Sequence, residues 1–178
     1  MCKGDDMEFK IESDCLLGLT VDAVKERVME HDKRAFKNLS YLDMLYDEGD
    51  KAIRHGVYLI FDEMGDCAYV GKCASSHFVD RLGSHFGMSP NYKSTFLSKL
   101  TDTLHNKPKG FEDYVVAAKK AREYRYMIVN ATGKGRDTID RLEKLFMLVF
   151  RPELNRLPKK MTCRYLTGKE VFELSLYR

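Results

Sequence analysis

Two tyrosines that fall on neighbouring strands, a glutamate set in an oily helix, and an arginine–histidine pair one helical turn apart are the groups in this chain best suited to chemistry. Gly56-Val57-Tyr58 opens one apolar run and Tyr69-Val70-Gly71 closes another, with the turn-forming stretch Asp62-Glu63-Met64-Gly65-Asp66 between them. This pattern predicts a β-hairpin that carries Tyr58 and Tyr69 side by side. A buried tyrosine needs a partner for its hydroxyl. The pair is therefore either core with both hydroxyls satisfied or the wall of a reactive site. Glu143 stands between Ile139 and Met147, one turn from each, in a segment apolar almost all round. Such a helix is buried, and a carboxylate on it stays ionised only with compensation. The choices are protonation, an ion pair with a cation such as an arginine, or a pocket that holds a metal.

Arg81 and His85 share one face of a helix. A guanidinium fork grips phosphate in bidentate fashion. A histidine one turn away can relay a proton or hold a phosphate oxygen. The alternative is a solvated helix face. Lys72 ends the second strand, where a cation near Tyr58 and Tyr69 would favour a tyrosinate, because free tyrosine titrates near ~10. Otherwise it is an ordinary exposed lysine. Asn155, in Pro152-Glu153-Leu154-Asn155, fits a turn cap. Lys119, Lys120, Arg122 and Arg125 are compatible with phosphate contacts and equally with a wet surface. Gly133-Lys134-Gly135 is too short for a phosphate-binding loop.

The elements that must position these groups read as follows. Residues 20–37 form a helix capped by Thr20, and Ser40 caps a second through Leu42, Leu45 and Tyr46. Strands run from Gly56 to Phe61 and from Cys67 to Lys72. A helix capped at Ser75 or Ser76 carries Phe78, Val79, Leu82 and Phe86 and ends at Gly87. Helices follow over Ser94–His105 and Phe111–Glu123, then a third strand over Tyr124–Asn130. A strongly apolar helix starts at Asp137 and stops before Arg151-Pro152, and a short helix follows Thr167. Hairpin and crossover connections together make the class α+β, or mixed α/β. The expected architecture is a small three-stranded sheet with a β-hairpin, flanked by helices. Residues 1–50 form a helical N-terminal extension, 51–160 the main domain with a basic insertion at 88–124, and 161–178 a tail packed on it.

At 178 residues the chain suits one elaborated domain. A hydrophobic content of 44% supports a core and argues against disorder. No apolar stretch approaches the ~20 residues of a membrane span, and the acidic, mixed residues 1–10 do not read as a signal peptide. Five cysteines with no C-x-x-C pairing read as free thiols in a reducing cytoplasm, without zinc or disulfides. The net charge of +3 hides a split. Residues 1–50 carry 7 basic and 13 acidic side chains, while residues 51–178 carry 23 basic and 14 acidic. That asymmetry points to a polyanionic partner for the second part alone.

Taken together, these pieces resemble the GIY-YIG nuclease superfamily. Its two signature tripeptides are matched by Gly56-Val57-Tyr58 and Tyr69-Val70-Gly71, its helix arginine by Arg81, and the histidine of some members by His85. Its buried glutamate is matched by Glu143 and its later asparagine by Asn155. Lys72 is similar to a lysine found after the second signature in some restriction-type members. Valine replaces isoleucine in both signatures, which keeps β-branching and strand preference. The resemblance covers residues 54–157.

It implies an endonuclease that hydrolyses DNA phosphodiester bonds with Mg²⁺ or another divalent cation such as Mn²⁺. In that reading Glu143 holds the ion and Tyr58, helped by Lys72, activates the attacking water. Arg81 neutralises charge on the phosphate, Tyr69 and His85 position it or relay protons, and Asn155 orients Glu143 or its neighbours. Restriction, repair and mobile-element roles all stay open. A lone site cuts one strand, so double-strand cleavage calls for a homodimer, and specificity for the insertion, the extension or a targeting partner protein. The alternative is a non-catalytic DNA-binding module.

Overall fold

The computed structural model describes residues 9–46, 52–87, 95–106, 110–157, 166 and 168–174. Five strands and five α-helices form along them. The strands are β1 (Lys10–Glu12), β2 (Arg34–Ala35), β3 (Gly56–Phe61), β4 (Cys67–Cys73) and β5 (Arg125–Asn130). The helices are α1 (Val21–Glu30), α2 (Phe78–His85), α3 (Phe96–His105), α4 (Phe111–Ala121) and α5 (Arg136–Phe150). The sheet runs β1-β5-β3-β4, with β2 also on β5. β3 pairs antiparallel with both β4 and β5, β1 is parallel to β5, and β2 is antiparallel to it. The class is mixed α and β, as the sequence predicts.

The β3–β4 hairpin turns on Asp62, whose Oδ1 accepts the amides of Met64 and Asp66, each at 2.9 Å. Gly56 begins β3 at φ 155°, and a side chain there would collide with the Val129 carbonyl of β5. Only glycine lets the two strands approach at that point. Alternation along the strands sends Val57, Leu59, Phe61 and Val70 to one face and Tyr58, Ile60 and Tyr69 to the other. α1 and α5 cover the first face with Val21, Val24, Val28, Leu142 and Phe146. α2, α3 and α4 cover the second with Phe78, Phe96, Leu97 and Ala117.

Several elements differ from the sequence reading. The sheet has five strands where three are expected, because the N-terminal segment contributes β1 and β2. A three-residue strand is too short to show alternation, and β1 gains its strand character only by docking beside Ile128–Asn130 far along the chain. α1 stops at Glu30, and the expected second helix is a single 3₁₀ turn, Leu42–Met44. The segment up to residue 46 is therefore part of the sheet rather than a purely helical extension. The cap of α2 is His77, not Ser75 or Ser76, and Asp80 accepts its backbone N–H at 3.3 Å. In the tail, 168–170 form a turn where a helix is expected. Phe172 is fully buried against Phe146, and its N–H donates to Leu19. No helix among the described residues is long and apolar enough to cross a membrane. Cys67 and Cys73 are free thiols; Cys2 and Cys163 lie outside the described residues.

Candidate active site

Tyr58 lies opposite Gly71 across the hairpin, and Tyr69 lies opposite Ile60. Side chains of cross-strand partners share a face, so the Tyr58 ring crosses β4 exactly where β4 has no side chain. A Cβ at Gly71 would overlap the Tyr58 hydroxyl and ring. The glycine of the second tripeptide is thus the space in which the tyrosine of the first one lies. Three rings stack in a row over β5, β3 and β4: Tyr126 and Tyr58 at 5.6 Å, and Tyr58 and Tyr69 at 6.3 Å between centroids.

His85, on the inner face of α2, makes a short hydrogen bond through Nε2 to the Tyr58 hydroxyl. Its Nδ1 accepts the backbone N–H of Phe96 at 3.0 Å. An amide can only donate, so Nδ1 carries no proton, and in the neutral ring Nε2–H donates to Tyr58. Burial, with Arg81 and Lys99 nearby, pushes the His85 pKa down to about 3. The imidazole is thus a fixed neutral donor. With both ring nitrogens engaged, it orients Tyr58 rather than reaching for a phosphate.

Arg81, on the same helix, hydrogen-bonds the Tyr58 hydroxyl, and its charge also reaches Tyr69. Burial pushes Tyr58 well above the usual tyrosine range, and the charge of Tyr69 adds to this, while Arg81 opposes it. Burial raises Tyr69 as well, with Arg81 opposing and Glu143 reinforcing. The cation that favours a tyrosinate here is therefore Arg81, not Lys72. Lys72 lies opposite Val57 and so projects from the other face of the sheet. There its ammonium lies 2.7 Å from Glu143 Oε2 and 3.0 Å from Asp140 Oδ1. Asp140 Oδ1 has no other partner among the described residues and no well-aligned hydrogen bond. Burial disfavours the Lys72 charge, but the two carboxylates overcome it and leave its pKa raised.

Glu143 is consequently an ion-paired acid at the margin of the core, with its side chain 19% exposed. Its partner is Lys72 rather than an arginine. Its charge still reaches Tyr69 and Lys99, so the open edge of β4 is where the two faces meet. Asn155 seals that edge. α5 ends at Arg151 with φ 49°, and the chain turns back along β4. Leu154 N–H donates to Ala68 at 3.0 Å. The Asn155 carboxamide pairs with both backbone groups of Val70, accepting from N and donating to O, each at 2.8 Å. Asn155 thus fixes the strand between Tyr69 and Gly71 instead of holding Glu143.

The structure therefore brings Tyr58, Tyr69, Arg81, His85 and Glu143 to one edge, with Lys72 and Asn155 supporting it from the flank. Lys119, Lys120, Arg122 and Arg125 lie elsewhere. Arg125 pairs with Phe61 and Lys120 approaches Glu63, both at the hairpin-turn end. Lys119 and Arg122 border a separate groove of about 640 Å³ floored by Phe36, Leu39, Leu82 and Phe86.

Sequence reasoning misses Asp140, Lys99 and Arg156. Asp140 is detectable in principle, three residues before Glu143 on one helix face. Lys99 and Arg156 are placed by tertiary packing alone. Lys99 Nζ sits over the Tyr69 ring, 4.8 Å from its centroid.

Among the described residues no group of three or more His, Cys, Asp or Glu side chains is arranged to hold a metal ion. Asp140 and Glu143 nevertheless aim oxygen atoms at one shared cation, at present the Lys72 ammonium. That donor set suits a hard divalent ion held by one or two carboxylates and completed by water and phosphate. Such an ion would compete with Lys72. No family model matches the chain, and no curated protein or solved structure matches it.

Proposed function

We propose that this chain is a divalent-metal-dependent endonuclease of the GIY-YIG type that hydrolyses DNA phosphodiester bonds. One observation carries the reading: Tyr58, Tyr69, Arg81 and His85, drawn from three separate elements, gather their polar groups on one side of β4, and the charge of Glu143, held by Lys72 at the same edge, reaches Tyr69. A core gains little from so many buried polar groups, whereas phosphoryl chemistry uses a cation, oriented hydroxyls and a carboxylate together.

In this reading Arg81 binds the phosphate and offsets the charge that grows on it. His85 donates to Tyr58 and holds its hydroxyl in place. Tyr58 takes the proton of the attacking water from its phenolate form, which Arg81 and the His85 N–H stabilise. Tyr69 orients the phosphate. Glu143, with Asp140, would hold the divalent ion, whose chemistry when bound is to polarise the phosphate and stabilise the leaving oxygen. Lys72 keeps those carboxylates ionised and apart from the tyrosines.

The test is cleavage of plasmid DNA with Mg²⁺ or Mn²⁺. Glu143→Gln should abolish cutting, and Tyr58→Phe should slow it at least ~100-fold, the scale of general-base catalysis. Because Tyr58 lies above its ordinary pKa, its base form grows with pH, so the rate should rise about tenfold per pH unit through neutrality. A flat pH profile, or full activity in Tyr58→Phe, would move the base to another group. A second reading, DNA binding without cleavage, draws support from the Lys72 ammonium standing between the two carboxylates. Salt-sensitive binding with no cutting under any divalent ion would favour it.

A further inference from the structure

The α3 wall of the site carries a positive charge that the motif residues do not explain. Phe96, at the start of α3, is tied by its N–H to His85 Nδ1, which fixes this helix to the tyrosine cluster. Lys99 stands one turn along and rests on the Tyr69 ring face. No carboxylate among the described residues forms a salt bridge with it. The acid whose charge acts on it, Glu143, is already held by Lys72. Two further cations crowd it: Arg156 acts on it more strongly and Arg81 less, and together with burial they lower its pKa. Arg156 is anchored next to Asn155, whose carboxamide is fixed to Val70. Three cations thus converge around Tyr69 with too little negative charge to balance them. Like charges gathered in a half-buried place destabilise the fold unless an anion joins them.

We propose that Lys99 and Arg156 form a second phosphate position, on the Tyr69 side of the site, that holds the backbone phosphate next to the one bound at Arg81. The cations divide along the edge: Arg81 hydrogen-bonds Tyr58, while Lys99 lies over the ring of Tyr69 and feels the charge of Arg156. The identity of the ligand rests on the DNA-cleavage reading, but the test does not need cleavage.

The experiment measures binding of a fluorescein-labelled duplex in EDTA across a salt series. Each phosphate contact contributes about 0.9 to the slope of log K against log salt on duplex DNA. Lys99→Met should reduce that slope by about 0.9 and weaken binding roughly tenfold, the scale of one charge-assisted hydrogen bond. Arg156→Gln, at an exposed position, should do the same without touching the core. Lys99→Arg should restore the slope, and Lys25→Met, on the exposed side of α1 across the sheet, should leave it unchanged.

Unchanged slopes in both Lys99→Met and Arg156→Gln overturn the proposal, even if the wild-type protein cuts DNA with Mg²⁺. Reduced slopes in a protein that binds but never cuts uphold the phosphate position and defeat the nuclease reading. A wild-type protein with no salt-dependent affinity for duplex overturns both.

Discussion

The two faces of the sheet follow different rules, although the same strands build both. On the α1/α5 face an apolar cluster runs from Val57, Leu59 and Val70 to Ile139, Leu145 and Phe146, and the charged Lys72, Asp140 and Glu143 stay part-exposed at its margin. On the α2/α3/α4 face the core includes Tyr58, Tyr69, Tyr126 and Cys73, and His85, Thr95, Ser98 and Thr101 are buried with them. Apolar burial stabilises without directional demands, at roughly 25 cal/mol per Å². A buried polar group only holds its place if its hydrogen bonds are met. The contrast teaches that stability and chemistry are largely separable here. The apolar core of the first face should govern unfolding, and the second face, together with the Asp140–Glu143 pair at the margin of the first, should govern reactivity, with β4 as the seam.

The strongest break of that separation to attempt is Phe61→Ala. Phe61 is fully buried on the apolar face, edge-on to Phe150, at the hairpin-turn end of β3. Truncating a buried phenylalanine costs about 3–5 kcal/mol. Urea unfolding should register that loss, while cleavage per folded molecule stays near wild type. A large fall in specific activity at unchanged stability would show that the faces are not separable.

The parts of this molecule that were legible in the sequence are those that long, local patterns encode. Gly56–Phe61, the Asp62 turn and the apolar helix around Glu143 each declare themselves within a dozen residues, and the strand and helix there are as expected. Thr20 caps α1 as read, because its side chain accepts from Ala23 three residues on, which is a local event. What stayed hidden depends on distant partners. β1 is a strand because of β5, and Lys72 faces Asp140 because register assigns it to the Val57 side. The sequence suggested Lys72 as the tyrosines' cation because it is adjacent in number to Gly71, yet one step along a strand reverses the face. Lys99 was hidden for the same reason: only the packing of α3 brings it to Tyr69.

A smaller effect tests the polar face by pH. His85 has a folded-state pKa of about 3, below the ordinary histidine value of 6.5. Between those limits the unfolded chain binds more protons than the folded one. Stability from this group is thus complete above pH 6.5 and falls as the pH drops, by up to about 1.4 kcal/mol per unit. From pH 7 to pH 5 the loss should be about 2 kcal/mol. Asp43 and Glu123, both with lowered pKa values, titrate below this window. Glutamine can accept the Phe96 N–H and donate to Tyr58 without titrating. His85→Gln should therefore flatten unfolding free energy between pH 5 and 7, and an undiminished pH dependence in that variant would remove His85 as its source.

The smallest expected effect falls on the seam, where both readouts should move together. Asn155 serves as a one-residue strand: its carboxamide takes the place of a neighbour for Val70, on an edge that the sheet otherwise leaves open. Asn155→Ala removes two hydrogen bonds from a partly buried edge that water can reach in part, so stability should fall by only about 1–2 kcal/mol. The same change frees the backbone between Tyr69 and Gly71. Tyr58 depends on that backbone for the space its ring occupies, so kcat should fall more than KM rises. Asn155→Asp separates the two bonds. It can still accept from Val70 N–H but sets an oxygen against the Val70 carbonyl, and it should be at least as damaging as alanine. If both variants unfold and react like the wild type, β4 needs no brace, and the seam between the faces is held by the hairpin register alone.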